Sequence, residues 1–317
     1  MNKQVYDKIS RCLDIFINRL SKIAALTPGA GLLTGKTGLA LLFYEYAAYK
    51  NEKKIEEYAD NLIDLTQTEI NRNASIDLND GLCGTAWGLN YLLKRGFVEA
   101  DEDIFEEIDN VIFNKINNQF EDLRLASAKA LYLLSRINFN NFSNEIIWQQ
   151  RIETYLHTVG EILNNASFFS CQDLFLFFHS CETLRKNDLY FFEIESLYGK
   201  MLEIVDVSCK IEKNNANRYT LELLLMQIPA FSDHVSINTA WKNATLMDVI
   251  AFYQNRLITG RNIPAPKAVD SALFSIINDK SRIDELLYLL NPYNAGLGNY
   301  VGGLTWAMLQ WRMDFGN

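Results

Sequence analysis

Two kinds of hydrophobic pattern alternate along the 317-residue chain. In the first, apolar residues recur at helical spacing with acidic or polar residues between them. Val5, Ile9, Cys12, Phe16, Leu20 and Ile23 form one such stripe, and Ile55, Tyr58, Ala59, Leu62, Thr66 and Ile70 form a second. A third runs through Ile104, Phe105, Ile108, Val111, Ile112 and Ile116, and a fourth through Ile152, Tyr155, Leu156, Val159 and Leu163. Each predicts an amphipathic helix with one solvated face.

The second kind is apolar nearly all round: "GLALLFYEYAAY", "WGLNYLLKRG", "SAKALYLLSRI", "DLFLFFHSCETL", "TLMDVIAFYQ", "SALFSIIN" and "GGLTWAMLQW". A surface helix cannot carry such a pattern, so these seven segments belong inside. They recur roughly every 30 to 65 residues between the amphipathic ones, as a helical-hairpin repeat does. Three of them are approached through glycine clusters: Gly31, Gly35 and Gly38; Gly81, Gly84 and Gly88; Gly296, Gly298, Gly302 and Gly303. Glycine there permits positive φ and close backbone approach where a loop meets a helix. A linear stack of hairpins would leave one flank of the buried helices uncovered. The expectation is therefore one all-α domain over residues 1–317, an (α/α)7 toroid of inner and outer helices.

Composition narrows the functional classes. With 49% hydrophobic residues the chain has ample material for a core. A net charge of −9, without a basic run longer than two residues, gives no electrostatic footprint for nucleic acid. No stretch of about 18 apolar residues predicts a membrane span, and the N-terminus reads as an amphipathic helix instead of a signal peptide. Five scattered cysteines fit reduced thiols in a cytoplasmic protein better than a disulfide framework.

Residues 30–37, "AGLLTGKT", match the relaxed form of a phosphate-binding loop. A working loop of that kind needs a preceding strand and parallel β-α units around it. Here an amphipathic helix and "LTPGAG" precede it. The following copy, "GLCGTAWGLNYLL", keeps the glycines but has Thr85 in place of Lys36. The repeat explains the glycines without a nucleotide.

The stretches "GLLTGKTGLALLFYEY", "LNDGLCGTAWGLNYLLKRGFVEADEDIFEEID" and "GLGNYVGGLTWAMLQ" resemble the LanC-like lanthionine synthetases, peptide cyclases with a seven-fold α/α toroid. In that family a zinc ion, held by two cysteines and a histidine, activates a peptide thiol for addition to a dehydrated serine or threonine. The resemblance places Trp241 and Lys242 at the first ligand motif, and Val269, Asp270 and Ser271 at the second. In that register the zinc ligands are replaced and no cofactor is expected. The implied role is modified-peptide biosynthesis, with the zinc-dependent cyclisation lost or altered. The expected partners are a peptide substrate or peptide-maturation enzymes.

His179, Asp80 and Cys83 are the candidates for chemistry. His179 matches the place of a family acid/base histidine, although packing on a toroid helix is the plainer role. Cys83 stands where a helix dipole would favour a thiolate, and with Asp77 and Asp80 it is the best polar group for a cavity wall. Asp80 or Asn79 could equally cap the helix. A relocated metal site at Cys171, His179 and Cys181 is opposed by helical geometry, which projects His179 and Cys181 to nearly opposite sides. The alternative function is a zinc-independent toroid hydrolase for a glycan or peptide, using two of Asp77, Asp80, Asp173, Asp248 and Asp270. Phe pairs at 168–169, 177–178 and 191–192 are expected to pack between helix layers, or else to line a peptide groove.

Overall fold

The computed structural model describes residues 3–70, 75–99, 105–114, 122–137, 146–166, 168–212, 215–228, 231, 244–260 and 265–315. In chain order its α-helices are α1 (Lys3–Leu20), α2 (Lys36–Lys50), α3 (Lys53–Glu69), α4 (Leu82–Lys94), α5 (Glu106–Asn114), α6 (Leu123–Arg136) and α7 (Ile146–Asn165). They continue as α8 (Cys171–Lys186), α9 (Phe191–Ile211), α10 (Asn215–Leu225), α11 (Leu246–Thr259), α12 (Lys267–Asn278), α13 (Lys280–Leu289) and α14 (Tyr300–Phe315). No strand occurs among the described residues, and none of their helices is long and apolar enough to cross a membrane. The architecture is all-α, with the alternation of buried and amphipathic helices that an α/α toroid requires. The chain divides into two compact units, residues 1–99 with 240–317, and residues 100–239.

In the first unit, α2 packs on α3 and α4, while α14 packs on α1, α2 and α11. Helix α2 is buried from Lys36 to Ala47, and α4 from Leu82 to Asn90, as their unbroken apolar runs predict. In the second unit, α8 lies between α6 and α10, and α9 packs against α7 and α8. Phe175, Phe177 and Phe178 of α8 are fully enclosed, and Phe178 meets Tyr198 and Phe231 edge to face or tilted.

One of the seven segments expected inside is amphipathic. Residues 271–278, "SALFSIIN", form most of α12, which buries Val269, Ala272, Leu273, Ile276 and Ile277 but exposes Ser271, Ser275 and Asn278. Small hydroxyl residues made this amphipathic helix look uniformly apolar. Helix α10 shows the reverse relation. It buries Ala216, Thr220, Leu221, Glu222, Leu224 and Leu225, although its sequence "NANRYTLELLL" reads as polar. Arg218 Nε donates to Glu222 Oε1 at 2.6 Å, so the buried carboxylate enters the interior neutralised.

One device recurs between neighbouring helices: a tyrosine hydroxyl donates to a carboxylate on the adjacent helix. Tyr44 and Tyr46 of α2 reach Asp60 of α3 at 2.5 Å and Asp14 of α1 at 2.8 Å. Tyr132 of α6 reaches Asp109 of α5 at 2.6 Å, and Tyr198 of α9 reaches Glu182 of α8 at 2.8 Å. Each tyrosine places its ring in the core and satisfies its hydroxyl on a carboxylate; Asp14 and Asp60 are exposed, whereas Asp109 and Glu182 are buried and gain a partner that burial makes necessary.

Candidate functional site

The loops that lead into α2, α4 and α14 lie side by side in the first unit. The Leu33 amide donates to the Asn79 carbonyl at 2.8 Å, and the Gly298 amide donates to the Leu33 carbonyl at 2.6 Å. A Cβ at Gly31 would collide with the Asp80 Cα, and one at Gly296 would stand 2.5 Å from the Leu33 carbonyl oxygen. The glycines therefore serve close contact between backbones, as expected from their clustering.

Lys36 is committed within this arrangement. Only 3% of its side chain is exposed, and its Nζ donates to the Thr27 carbonyl and to Glu69 Oε1, each at 2.5 Å. Upstream lies a 3-10 turn, Ala24–Leu26, where a nucleotide-binding loop would need a strand. The lysine of the "GKT" sequence is a buried structural cation.

Asp77 organises the loop before α4. Its Oδ1 accepts from the amides of Asn79 and Asp80 at 2.8 and 3.0 Å, and its Oδ2 accepts from the Ser75 hydroxyl at 2.5 Å. Burial pushes this carboxyl's pKa up, but its bonds to the Asp80 side chain, Ser75 and the two amides outweigh that and hold it below the usual carboxylate value. Asp80 is exposed and bonded through its side chain to Asp77. Cys83, the second residue of α4, is fully buried. Of the three residues grouped on sequence, the structure brings Asp77 and Asp80 together and leaves Asp80 as the one that solvent reaches.

The candidates on α8 are dispersed. His179 is partly buried and stacks on Phe175 with ring centroids 6.5 Å apart. Cys181 is enclosed, and burial pushes its thiol pKa well up. Cys171 faces Cys209 of α9, with the sulfurs 3.9 Å apart. Cys171, His179 and Cys181 thus do not converge. Among the described residues no three His, Cys, Asp or Glu side chains form a group able to hold a metal ion. His157 lies on the open face of α7 beside Glu161. Trp241 and Lys242 lie outside the described residues.

Val269 and Asp270 stand on the first turn of the amphipathic helix α12, next to α1 and α11. Burial pushes the Asp270 carboxyl up to about 6, Asp314 adds to the rise, and Trp311 and Arg256 oppose it. Its Oδ1 is buried without a hydrogen bond, as is the nearby Tyr253 hydroxyl. The remaining carboxylates proposed for hydrolysis have local work. Asp173 accepts from the Ser170 hydroxyl at 2.7 Å at the start of α8, and Asp248 forms a capping box with Thr245. Of the Phe pairs, 177–178 is core as expected, whereas Phe191 and Phe192 are exposed and meet each other edge to face.

Patterning gave no sign of one further group. Asp109, Arg136 and Arg151 stand on three successive helices, and both guanidinium groups approach the one carboxylate, at 3.5 and 4.0 Å. The position of Asp109 between Ile108 and Ile112, on the buried side of α5, was its only signal in the sequence.

A family model described as lanthionine synthetase C-like protein matches residues 1–165, just over half of the 317 residues. The match spans α1 to α7 and includes the interlocked loops before α2 and α4. No curated protein and no solved structure gives a significant match.

Proposed function

The chain belongs to the lanthionine synthetase C-like family, and we propose that it serves modified-peptide biosynthesis by binding a peptide or a peptide-maturation enzyme, without zinc-dependent ring closure. The observation that carries this reading is the placement of the thiols. A Cys2His zinc site needs two thiolates and an imidazole within bonding distance of one point. Cys12, Cys83, Cys171, Cys181 and Cys209 are each buried in helix packing, and the two that meet have no histidine beside them in any metal-binding group among the described residues. These donors do not fit the family's zinc. The exposed Asp80, held at the junction of the interlocked loops, is the contact we assign to the bound peptide. The scattered, odd-numbered cysteines support a reducing, cytoplasmic setting.

The test uses the purified full chain and a synthetic peptide carrying one cysteine and one dehydroalanine. Elemental analysis should find zinc far below one per chain. Fluorescence anisotropy should register binding of the labelled peptide, while the peptide's free thiol persists. Stoichiometric zinc with thioether formation would overturn the loss of cyclisation. Absence of binding by both the dehydrated peptide and its serine precursor would overturn the peptide-binding half.

A further inference from the structure

A cavity of about 390 Å³ opens in the second unit against α5, α6 and α7. Its apolar wall includes Phe113, Ala130, Leu133 and Ile147; Arg151 supplies a cation, and the second cation on the wall, Lys129, is engaged by another group. Around Arg151 the charges are incompletely matched. The Asp109 carboxylate accepts the Tyr132 hydroxyl at 2.6 Å, lies 3.5 Å from Arg136 Nη2, and stands only 4.0 Å from Arg151 Nη1. Among the described residues two guanidinium groups therefore share one carboxylate, which leaves one positive charge over.

Arg151 is the less satisfied of the two. Its side chain is 13% exposed, and its guanidinium lies 4.2 Å from the Phe113 ring centroid and 4.5 Å from that of Trp148. The rings hold the cation in place but accept none of its in-plane N–H bonds. Its ion pair with Asp109, at 4.0 Å, is beyond hydrogen-bond distance. Burial pulls the guanidinium's pKa down and Asp109 only partly offsets this, as expected of a cation short of partners.

We propose that this cavity is a carboxylate-binding site, in which Arg151 takes a monoanionic carboxylate while the Phe113, Ala130, Leu133 and Ile147 wall takes an adjoining aliphatic group. The fork of N–H donors on arginine matches a carboxylate in two parallel bonds. One surplus positive charge suits a monoanion, and Asp109 disfavours a phosphate dianion. A volume of about 390 Å³ admits a small ligand or one to two residues of a peptide. Resting on the peptide-binding reading above, the natural occupant is an acidic side chain or C-terminal carboxylate of a peptide, next to an aliphatic residue.

The test is saturation-transfer NMR and titration with N-acetyl-leucine, which joins a monoanionic carboxylate to an isobutyl group, on the full chain. Its neutral amide and inorganic phosphate are the comparisons. N-acetyl-leucine should bind, the amide should bind about tenfold more weakly or worse, and equimolar phosphate should not displace the ligand. Arg151→Gln should weaken binding by a similar factor. Thr154→Phe, on the exposed rim one turn along α7 from Arg151, should block the cavity in a chain whose circular dichroism and melting are unchanged. Equal binding of acid and amide, undiminished binding to folded R151Q, or displacement by phosphate would overturn the site. If N-acetyl-leucine binds as expected but a labelled peptide ending in Glu-Leu does not compete with it, the carboxylate site stands and its assignment to a peptide falls.

Discussion

Gly298, ahead of the last helix, donates its amide to the carbonyl of Leu33, ahead of α2, at 2.6 Å. This bond joins the beginning of the chain to its end within one compact unit, and it requires a backbone approach that side chains would obstruct. Gly296→Ala would set a methyl group 2.5 Å from the Leu33 oxygen and 2.8 Å from the Thr34 Cα. A loss of about 2 kcal/mol or more is expected. Gly298→Ala, with its nearest contact at 3.2 Å, should cost less. Urea denaturation of the two variants tests the order, and equal stabilities would reject it.

Gly199 supplies the opposite case. It lies on the exposed side of α9, where an added methyl group meets nothing within 4 Å. Gly199→Ala should stabilise the protein by about 0.5–1 kcal/mol through helix propensity alone. A lower midpoint in the same denaturation would refute this.

Lys36 distinguishes a structural cation from a nucleotide ligand. Lys36→Met removes the bonds to Glu69 and Thr27 and should cost about 2 kcal/mol, since Glu69 is partly exposed and solvent relieves part of the loss. Neither the parent protein nor the variant should bind a fluorescent ATP analogue. A melting temperature of the parent protein that rises with ATP would contradict the assignment.

Asp270 should leave a mark on the pH dependence of stability. Its folded pKa of about 6 lies above the ordinary value of 3.8, so the folded state holds this proton more tightly than the unfolded chain. The contribution is fully present below about pH 4 and is lost as pH rises through about 6. Asp270→Asn should therefore be more stable than the parent protein at pH 7.5, by about 1–2 kcal/mol, with the advantage shrinking toward pH 4. Thermal melts of both proteins across that window measure the difference, and parallel curves would remove Asp270 from the account.

Much of this protein was legible in the residues. Stripes at Val5–Ile9–Cys12 and Ile55–Ala59–Leu62 predicted α1 and α3, and glycine clusters marked loops that do press backbone on backbone. Local pattern falls short where polarity and exposure part company. Glu222 is 3% exposed because Arg218 accompanies it, so α10 is a buried helix with a polar sequence. Ser271 and Ser275 are exposed on a helix that looked apolar because serine costs little in either environment.

The sequence by itself determined an all-α chain, the alternation of buried and amphipathic helices, and the family to which it belongs. These follow from local spacing, which is written along the chain and survives without knowledge of partners. Only the tertiary structure decided which charges could enter the interior. Glu45 of α2 meets Arg95 beyond α4 at 3.1 Å, Lys36 meets Glu69, and Asp109 draws in both Arg136 and Arg151. A buried charge is costly until a partner compensates it, and for these groups the opposite charge comes from a distant part of the chain.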